Sequence, residues 1–361
     1  MEPSTTVSAE ITLILFNYSI RWGMPPERKA ELAIADRDVA STKVLFKQYH
    51  GTDRRGISVA ASSLAVYAFV WLAFLKLGVS YLGQALALVV AVPLLSLLTL
   101  RLFMINHDTS HFALCKSMWL NQWIAQLFSI LTLTPTTWHI NHRYHHAVSG
   151  NASREDWSES VFYTLQQYQQ LSLAKRWIYR LTRDPLFFFL AGPPLNWFVI
   201  QRLPINLGLA NSYKPRVWNT LAGVVWFTLM YAIGGWLAVL ALFFQYWLGG
   251  ILGLALFHVQ HTFNPAYVAK GEEWTSKKTA THGSSNIQFP WWLEYFFFNI
   301  GYHSMHHLDC RIPAYNLKLA YCDPEVQSCL GPIHWLTWSE IWTCLGYTLY
   351  DEVSGQFVCF P

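Results

Sequence analysis

Long apolar runs separated by polar segments dominate the chain. Ile57–Leu77 and Tyr81–Ile105 are two such runs, parted by Gly78-Val79-Ser80, and each approaches the ~20 residues an α-helix needs to cross a bilayer. Val217–Phe257 is long enough for two crossings and carries Gly234-Gly235 near its middle, which predicts a second helical hairpin. Leu114–Leu133 and Pro185–Gln201 are apolar but interrupted, the first by Lys116, Asn121 and Gln122, the second by Pro193-Pro194. Breaks at membrane depth need protein or water to cover them, so these two predict interfacial or re-entrant segments. The expected architecture is all-α: about four transmembrane helices in two hairpins, with a cytosolic helical cap.

Composition agrees with lipid as the solvent. The 361 residues are 53% hydrophobic and only 13% charged, against roughly 25% charged in soluble domains. The 18 Trp and 18 Tyr are side chains that settle at headgroup level. A net charge of +4 suits an anionic membrane surface and gives no reason to expect nucleic acid. Residues 1–56 read as a polar cytosolic arm with Arg28, Lys29, Lys43, Lys47, Arg54 and Arg55, holding a short amphipathic helix. No basic n-region precedes Ile11–Phe16, so no signal peptide is expected. Segment 105–216 is basic, whereas the proposed outer turns near 78–81 and 232–238 carry no charge. The positive-inside rule then puts both termini and the 105–216 segment in the cytosol. Six cysteines, mostly C-terminal, are expected there as reduced thiols and small buried hydrophobes.

The chemistry lies in four histidine clusters: His107 with His111; His142, His145 and His146; His261; and His303, His306 and His307. Residues three and four apart share a helical face, so each multiple cluster can aim its imidazoles at one point, and two metals are within reach of the set. Imidazole suits iron, zinc, copper or nickel, and no Cys-x-x-Cys pair accompanies these histidines. All four clusters fall on the cytosolic side of the predicted topology: His107 and His111 follow the second span and His261 follows the fourth. His50 and His334 stand alone, and no metal role is assigned to them. A metal transporter would place ionisable residues in mid-span, and the predicted spans have essentially none away from their ends. A haem-holding electron carrier is the reading from another class, and a Soret band would reveal it.

With their flanks, these boxes resemble the membrane-bound fatty acid desaturases, in particular the bacterial acyl-desaturase branch. The resemblance runs from His107-Asp108-x-x-His111 through Trp138, His142-x-x-His145-His146, Asp184-Pro185-Leu186, Gly192-Pro193-Pro194, Gln260-His261-Thr262-Phe263 and Gly283-Ser284-Ser285. It ends in Asn299-Ile300-Gly301-Tyr302-His303-x-x-His306-His307 and Arg311-Ile312-Pro313 to Leu317. It implies two non-haem irons held by the nine histidines, O2 as co-substrate, and removal of hydrogen from a fatty acyl chain carried as free acid, lipid, CoA or ACP ester. It also implies an electron donor such as ferredoxin or cytochrome b5 with a reductase, since the chain has no dinucleotide fingerprint of its own. Behind the ligands, Asp108 is expected to fix an imidazole tautomer and Asn299 to hold a metal-bound water or a helix end. His139, His258 and His282 are further neighbours of the site. The implied organisation is an arm over 1–56, a transmembrane and di-iron domain over 57–317, and an extension of that domain over 318–361. Thr109-Ser110 and Phe112-Ala113 depart from the Cys-Gly and Gly-Ser usual in the first box. The scaffold also supports hydroxylation, acetylene formation and decarboxylation of a free fatty acid to a terminal alkene, so desaturation leads and these remain alternatives.

Overall fold

A computed structural model describes residues 44–77, 83–84, 87–153, 162–203 and 213–361. The arm up to residue 43 and the turn at 78–82, on which two expectations rest, lie outside the described residues. Among the described residues, three helices are long and apolar enough to cross a membrane: α1 (Asp53–Leu77), α2 (Val92–Ser110, with a π-helical lead-in from Ala87) and the helical stretch Lys214–His261. In α1, Ala60, Ser63, Tyr67, Trp71 and Phe74 are buried at helical spacing, whereas Phe69 and Leu72 are exposed. A helix apolar all round, yet buried on one stripe only, is suited to a lipid surround.

The Lys214–His261 stretch is not one straight rod. Gly235 has φ 61° and ψ −157°, a conformation essentially restricted to glycine. A straight helix would hold residues nineteen apart at about 28 Å, yet the rings of Phe227 and Tyr246 are 6.3 Å apart. The stretch therefore doubles back at Gly235, giving the hairpin expected at Gly234-Gly235.

Between the long helices come α3 (Met118–Leu131), α4 (Thr137–Val148) and α5 (Leu173–Arg183); the Lys214–His261 stretch is α6. α3 buries Asn121, Ala125 and Phe128 and exposes Met118, Trp119, Trp123 and Leu127. α5 likewise exposes Leu173, Trp177, Ile178 and Leu181. Apolar outer faces rich in Trp are those of interfacial helices. The 185–201 segment is broken into two π-helical turns, Phe187–Ala191 and Asn196–Ile200, flanking Gly192–Leu195. After α6 the chain forms short helices: α7 (Ser276–His282), α8 (Trp291–Phe297), α9 (His303–Leu308) and α10 (Ala314–Tyr321).

Several details differ from expectation. α2 runs on to Ser110, so it carries His107 within its last turn and places Arg101 in its middle, buried; His261 likewise ends α6 instead of following it. Arg101 therefore contradicts the expectation of spans without interior charge. Its Nε donates to Ser63 Oγ at 2.8 Å, its guanidinium reaches the Tyr295 carbonyl, and it lies 4.0 Å from the Tyr295 ring centre. Among the described residues, two small strand pairs also join the helices: Asn286–Ile287 runs parallel to Trp335–Leu336, and Leu349–Asp351 antiparallel to Gln356–Val358. All six cysteines are free, but only Cys115 and Cys344 are buried, and Cys322 and Cys359 are exposed.

Candidate metal centre

Four elements bring the histidines together. α2 delivers His107 from its last turn and His111 from its C-cap, after which Phe112 takes a left-handed φ of 55° and turns the chain away. α4 presents His142, His145 and His146 on one side, with the Trp138 indole stacked on His142 at 4.6 Å and 10°. α6 ends in His261. α9 carries His303, His306 and His307, and its N-terminus is set by Asn286, whose Oδ1 accepts from both the Ser304 N–H and Oγ at 2.9 Å. Just before α9, a Cβ at Gly301 would lie 2.3 Å from the Ile287 carbonyl oxygen, so only glycine permits this approach.

The rings form two groups, each drawn from several boxes. His107, His111, His142, His146 and His306 form one, and His145, His261 and His307 the other, with the candidate ligand atoms of each group within 4.8 Å of one another. His303 joins the second, its Nε2 2.9 Å from that of His261. The Nε2 atoms of His146 and His306 are 3.0 Å apart, those of His146 and His142 3.2 Å, and those of His145 and His261 3.1 Å.

Burial, followed by the neighbouring imidazoles, pushes His306, His146 and His307 well below the ordinary histidine range. The rings are thus neutral and able to ligate. The buried Nε2 atoms of His111 and His307 have no hydrogen-bond partner, a costly state for polar atoms unless something binds there. Two nitrogens each about 2.1 Å from a shared centre, the usual imidazole–metal distance, lie about 3.0 Å apart at a right angle and about 4.2 Å apart across it. The observed spacings suit such centres, and an all-nitrogen donor set suits iron, zinc, copper or nickel.

Residues 83–340 match the sequence model of the family described as fatty acid desaturase. The chain belongs to the fatty acid desaturase family. This desaturase-family chain is 32% identical over 307 residues to a fatty acid desaturase of Bacillus subtilis (strain 168), covering 84% of this chain and 85% of that one. It is 26% identical over 231 residues to an sn-1 oleoyl-lipid 12-desaturase of Picosynechococcus sp., with 61% and 63% covered. To an sn-1 acyl-lipid omega-3 desaturase (ferredoxin) of Nostoc sp. (strain 36) it is 30% identical over 233 residues, with 61% and 62% covered. It is accordingly an oxidoreductase and a membrane protein.

Around the histidines of this desaturase-family protein, the expected neighbours separate. Asp108 is buried, with Oδ1 3.3 Å from His107 Nδ1 and Oδ2 accepting from the Ala314 N–H at 2.7 Å. This leaves His107 Nε2 as its available nitrogen. Asn299 donates to the Ala314 carbonyl at 3.2 Å and so ties the turn before α9 to α10. His139 points to Asn106, Nε2 to Oδ1 3.1 Å, and His258 to the Cys344 carbonyl at 3.0 Å; neither joins a group. His282 is exposed, paired with Thr281 Oγ1 at 2.7 Å, because α7 turns that residue outward. His50 pairs with Asp309 and His334 with Glu340. Sequence reasoning gave no role to Asn286 or to the Asp309–Arg311 ion pair, whose N to O distance is 2.8 Å. Asn286 follows directly on the quoted Gly283-Ser284-Ser285 motif, which was the available signal. Gln260, quoted only as a flank, donates to the Ile300 carbonyl at 2.9 Å and thereby links His261 to the approach to α9.

Proposed function

We propose that the protein is a multi-pass membrane enzyme that introduces a C=C bond into a fatty acyl chain, with two irons held by the nine histidines and O2 as co-substrate. The observation that carries this reading is the convergence of four distant histidine clusters into two mixed groups within a chain of this family. His107, His111, His142, His146 and His306 would hold one ion, and His145, His261, His303 and His307 the other. Bound iron would supply the oxidising power, drawn from O2, that an unactivated C–H bond demands and acid–base groups lack.

The protein's own share is position. Asp108 and the Trp138 stack fix two ligand rings, and the buried setting keeps the imidazoles unprotonated and excludes bulk water. Removing two hydrogens from the acyl chain releases two electrons, and reducing O2 to two waters takes four, so two more must arrive from outside. A ferredoxin is the donor class we favour, with a cytochrome b5-type protein and its reductase as the other source; one relative's name specifies ferredoxin. Names of relatives specify acyl chains on lipids, which makes a lipid ester the first substrate to test, ahead of the free acid and the CoA or ACP esters.

The C-terminal ends of α2 and α6 both carry histidines. Each hairpin therefore starts and finishes on the side of the metal groups. With the basic segments on that side, both termini and the site are cytosolic. The arm over 1–56 and the extension over 318–361 then flank a transmembrane and metal domain over 57–317.

The decarboxylase alternative needs groups to seat a free carboxylate, for which the Thr109 and Ser110 hydroxyls are the candidates; Thr109 Oγ1 bonds the Asn106 carbonyl at 2.5 Å, whereas Ser110 Oγ is buried without a partner. The deciding experiment is gas chromatography–mass spectrometry of headspace and total fatty acids from a bacterial host expressing the chain, against a His306→Ala control. New unsaturated acids of unchanged length are expected. Alkenes one carbon shorter would overturn desaturation in favour of decarboxylation, and a Soret band in the purified protein would overturn the non-haem assignment.

A further inference from the structure

The family match ends at residue 340, and the strand pair Leu349–Asp351 with Gln356–Val358 lies beyond it. This pair returns to the histidines. Asn264, three residues past His261, accepts from the Phe357 N–H at 2.8 Å and donates to the Phe357 carbonyl at 2.9 Å. Held at both backbone groups, Phe357 is 2% exposed and meets Phe162 edge-on, ring centres 5.5 Å apart.

A small cavity of about 20 Å³ is lined both by this aromatic pair and by His145 and His261, with His258, Phe257 and Val268 among its other walls. The Phe257 ring lies 5.3 Å from that of His145 and 5.1 Å from that of His261. Two imidazoles of the second histidine group and a clamped aromatic pair thus share one small cavity whose surface is mainly apolar. A space of this size suits the apolar end of a chain, a methyl or a methylene; a charged group does not fit it.

We propose that the C-terminal strand pair is a specificity element of the desaturase: Phe357 is the wall that limits how far an acyl chain extends past the second histidine group, and so which carbons stand at the metals. The inference rests on the desaturase reading, because only a substrate threaded past the site makes the far wall decide regiochemistry. Reaction requires near-contact geometry, so displacing the chain by even one methylene changes which bond is attacked. Discrimination of one methylene by an apolar pocket is commonly about ten-fold or more.

The test uses the full-length chain with Phe357→Ala, Phe357→Leu and Phe357→Trp, and Val353→Ala, at a fully exposed loop position, as the control. Two readouts are taken: product chain length and double-bond position in the expression host, and thermal shift of the purified metal-free protein across a ladder of saturated fatty acids. Phe357→Ala and Phe357→Leu are expected to move the preferred length upward, or the double bond along the chain, with about a ten-fold change in preference. Phe357→Trp is expected to move it the other way. Phe357→Leu keeps the test open if the alanine variant does not fold. Folded variants with the wild-type product profile and wild-type length dependence of binding overturn the proposal. Absence of any unsaturated product from the wild-type chain would instead defeat the desaturase reading; the binding ladder still judges the wall, and a length dependence indifferent to residue 357 would overturn it there too.

Discussion

Asp108→Asn tests how the first and last histidine clusters are held to one another. The carboxylate faces two partners, His107 Nδ1 at 3.3 Å and the Ala314 N–H at 2.7 Å, while the Ala314 carbonyl accepts from Asn299 just ahead of α9. An ionised carboxylate accepts on both oxygens; an amide offers one acceptor and turns an NH2 toward the other donor. The substitution therefore removes one charge-assisted hydrogen bond and sets donor against donor in a buried site. Such a bond contributes roughly 1.5–3 kcal/mol, which at about 1.4 kcal/mol per decade is a loss of roughly 10- to 150-fold. That range agrees with the 10- to 100-fold typical when the partner behind a metal-ligating histidine is removed. The assay is iron occupancy of the detergent-purified chain against graded chelator, with turnover and thermal unfolding on the same preparations. Apparent iron affinity and turnover should fall together by about 10- to 100-fold. A folded Asp108→Asn protein with wild-type iron affinity would refute the reasoning, and a fall in melting temperature alone would reduce Asp108 to a packing role.

His306→Ala and His145→Ala remove ligands from different groups, so each should take iron from two per chain toward one and abolish turnover; full iron and full activity would break the ligand assignment. Gly235→Ala meets open space, so its cost is backbone conformation alone, about 1–3 kcal/mol; it should melt earlier in detergent while keeping wild-type iron per folded molecule. Arg101→Lys keeps the charge but loses the planar fork and the stacking on Tyr295 and Phe298. It should be destabilised by about 1–3 kcal/mol, and wild-type melting would show that the guanidinium does not brace α1, α2 and α8.

Much of this molecule was legible from periodicity, and what was not depends on which surfaces meet. The three- and four-residue spacing places His142, His145 and His146 on one side of a helix whatever lies opposite, and Gly234-Gly235 marks a reversal because only glycine takes the backbone found at 235. Spacing fails where two residues share a face but face different neighbours. His139 is three residues before His142, yet one turn along α4 the facing residue is Asn106 instead of another imidazole. His282 adjoins a buried glycine and is nonetheless turned to the surface.

The end of α2 shows the same limit in energetic form. Hydropathy stops the helix at Ile105, because Asn106, His107, Asp108, Thr109 and Ser110 are polar. Those five residues are buried all the same, and much of their polar surface is met from within: Asn106 by His139, His107 by Asp108, Asp108 by Ala314, Thr109 by the Asn106 carbonyl. A polar run is costly inside a membrane protein only when it is unpartnered. The partners come from α4 and α10, distant in sequence, so the extent of α2 and the depth of Arg101 within it follow from tertiary pairing and not from the residues of α2 alone.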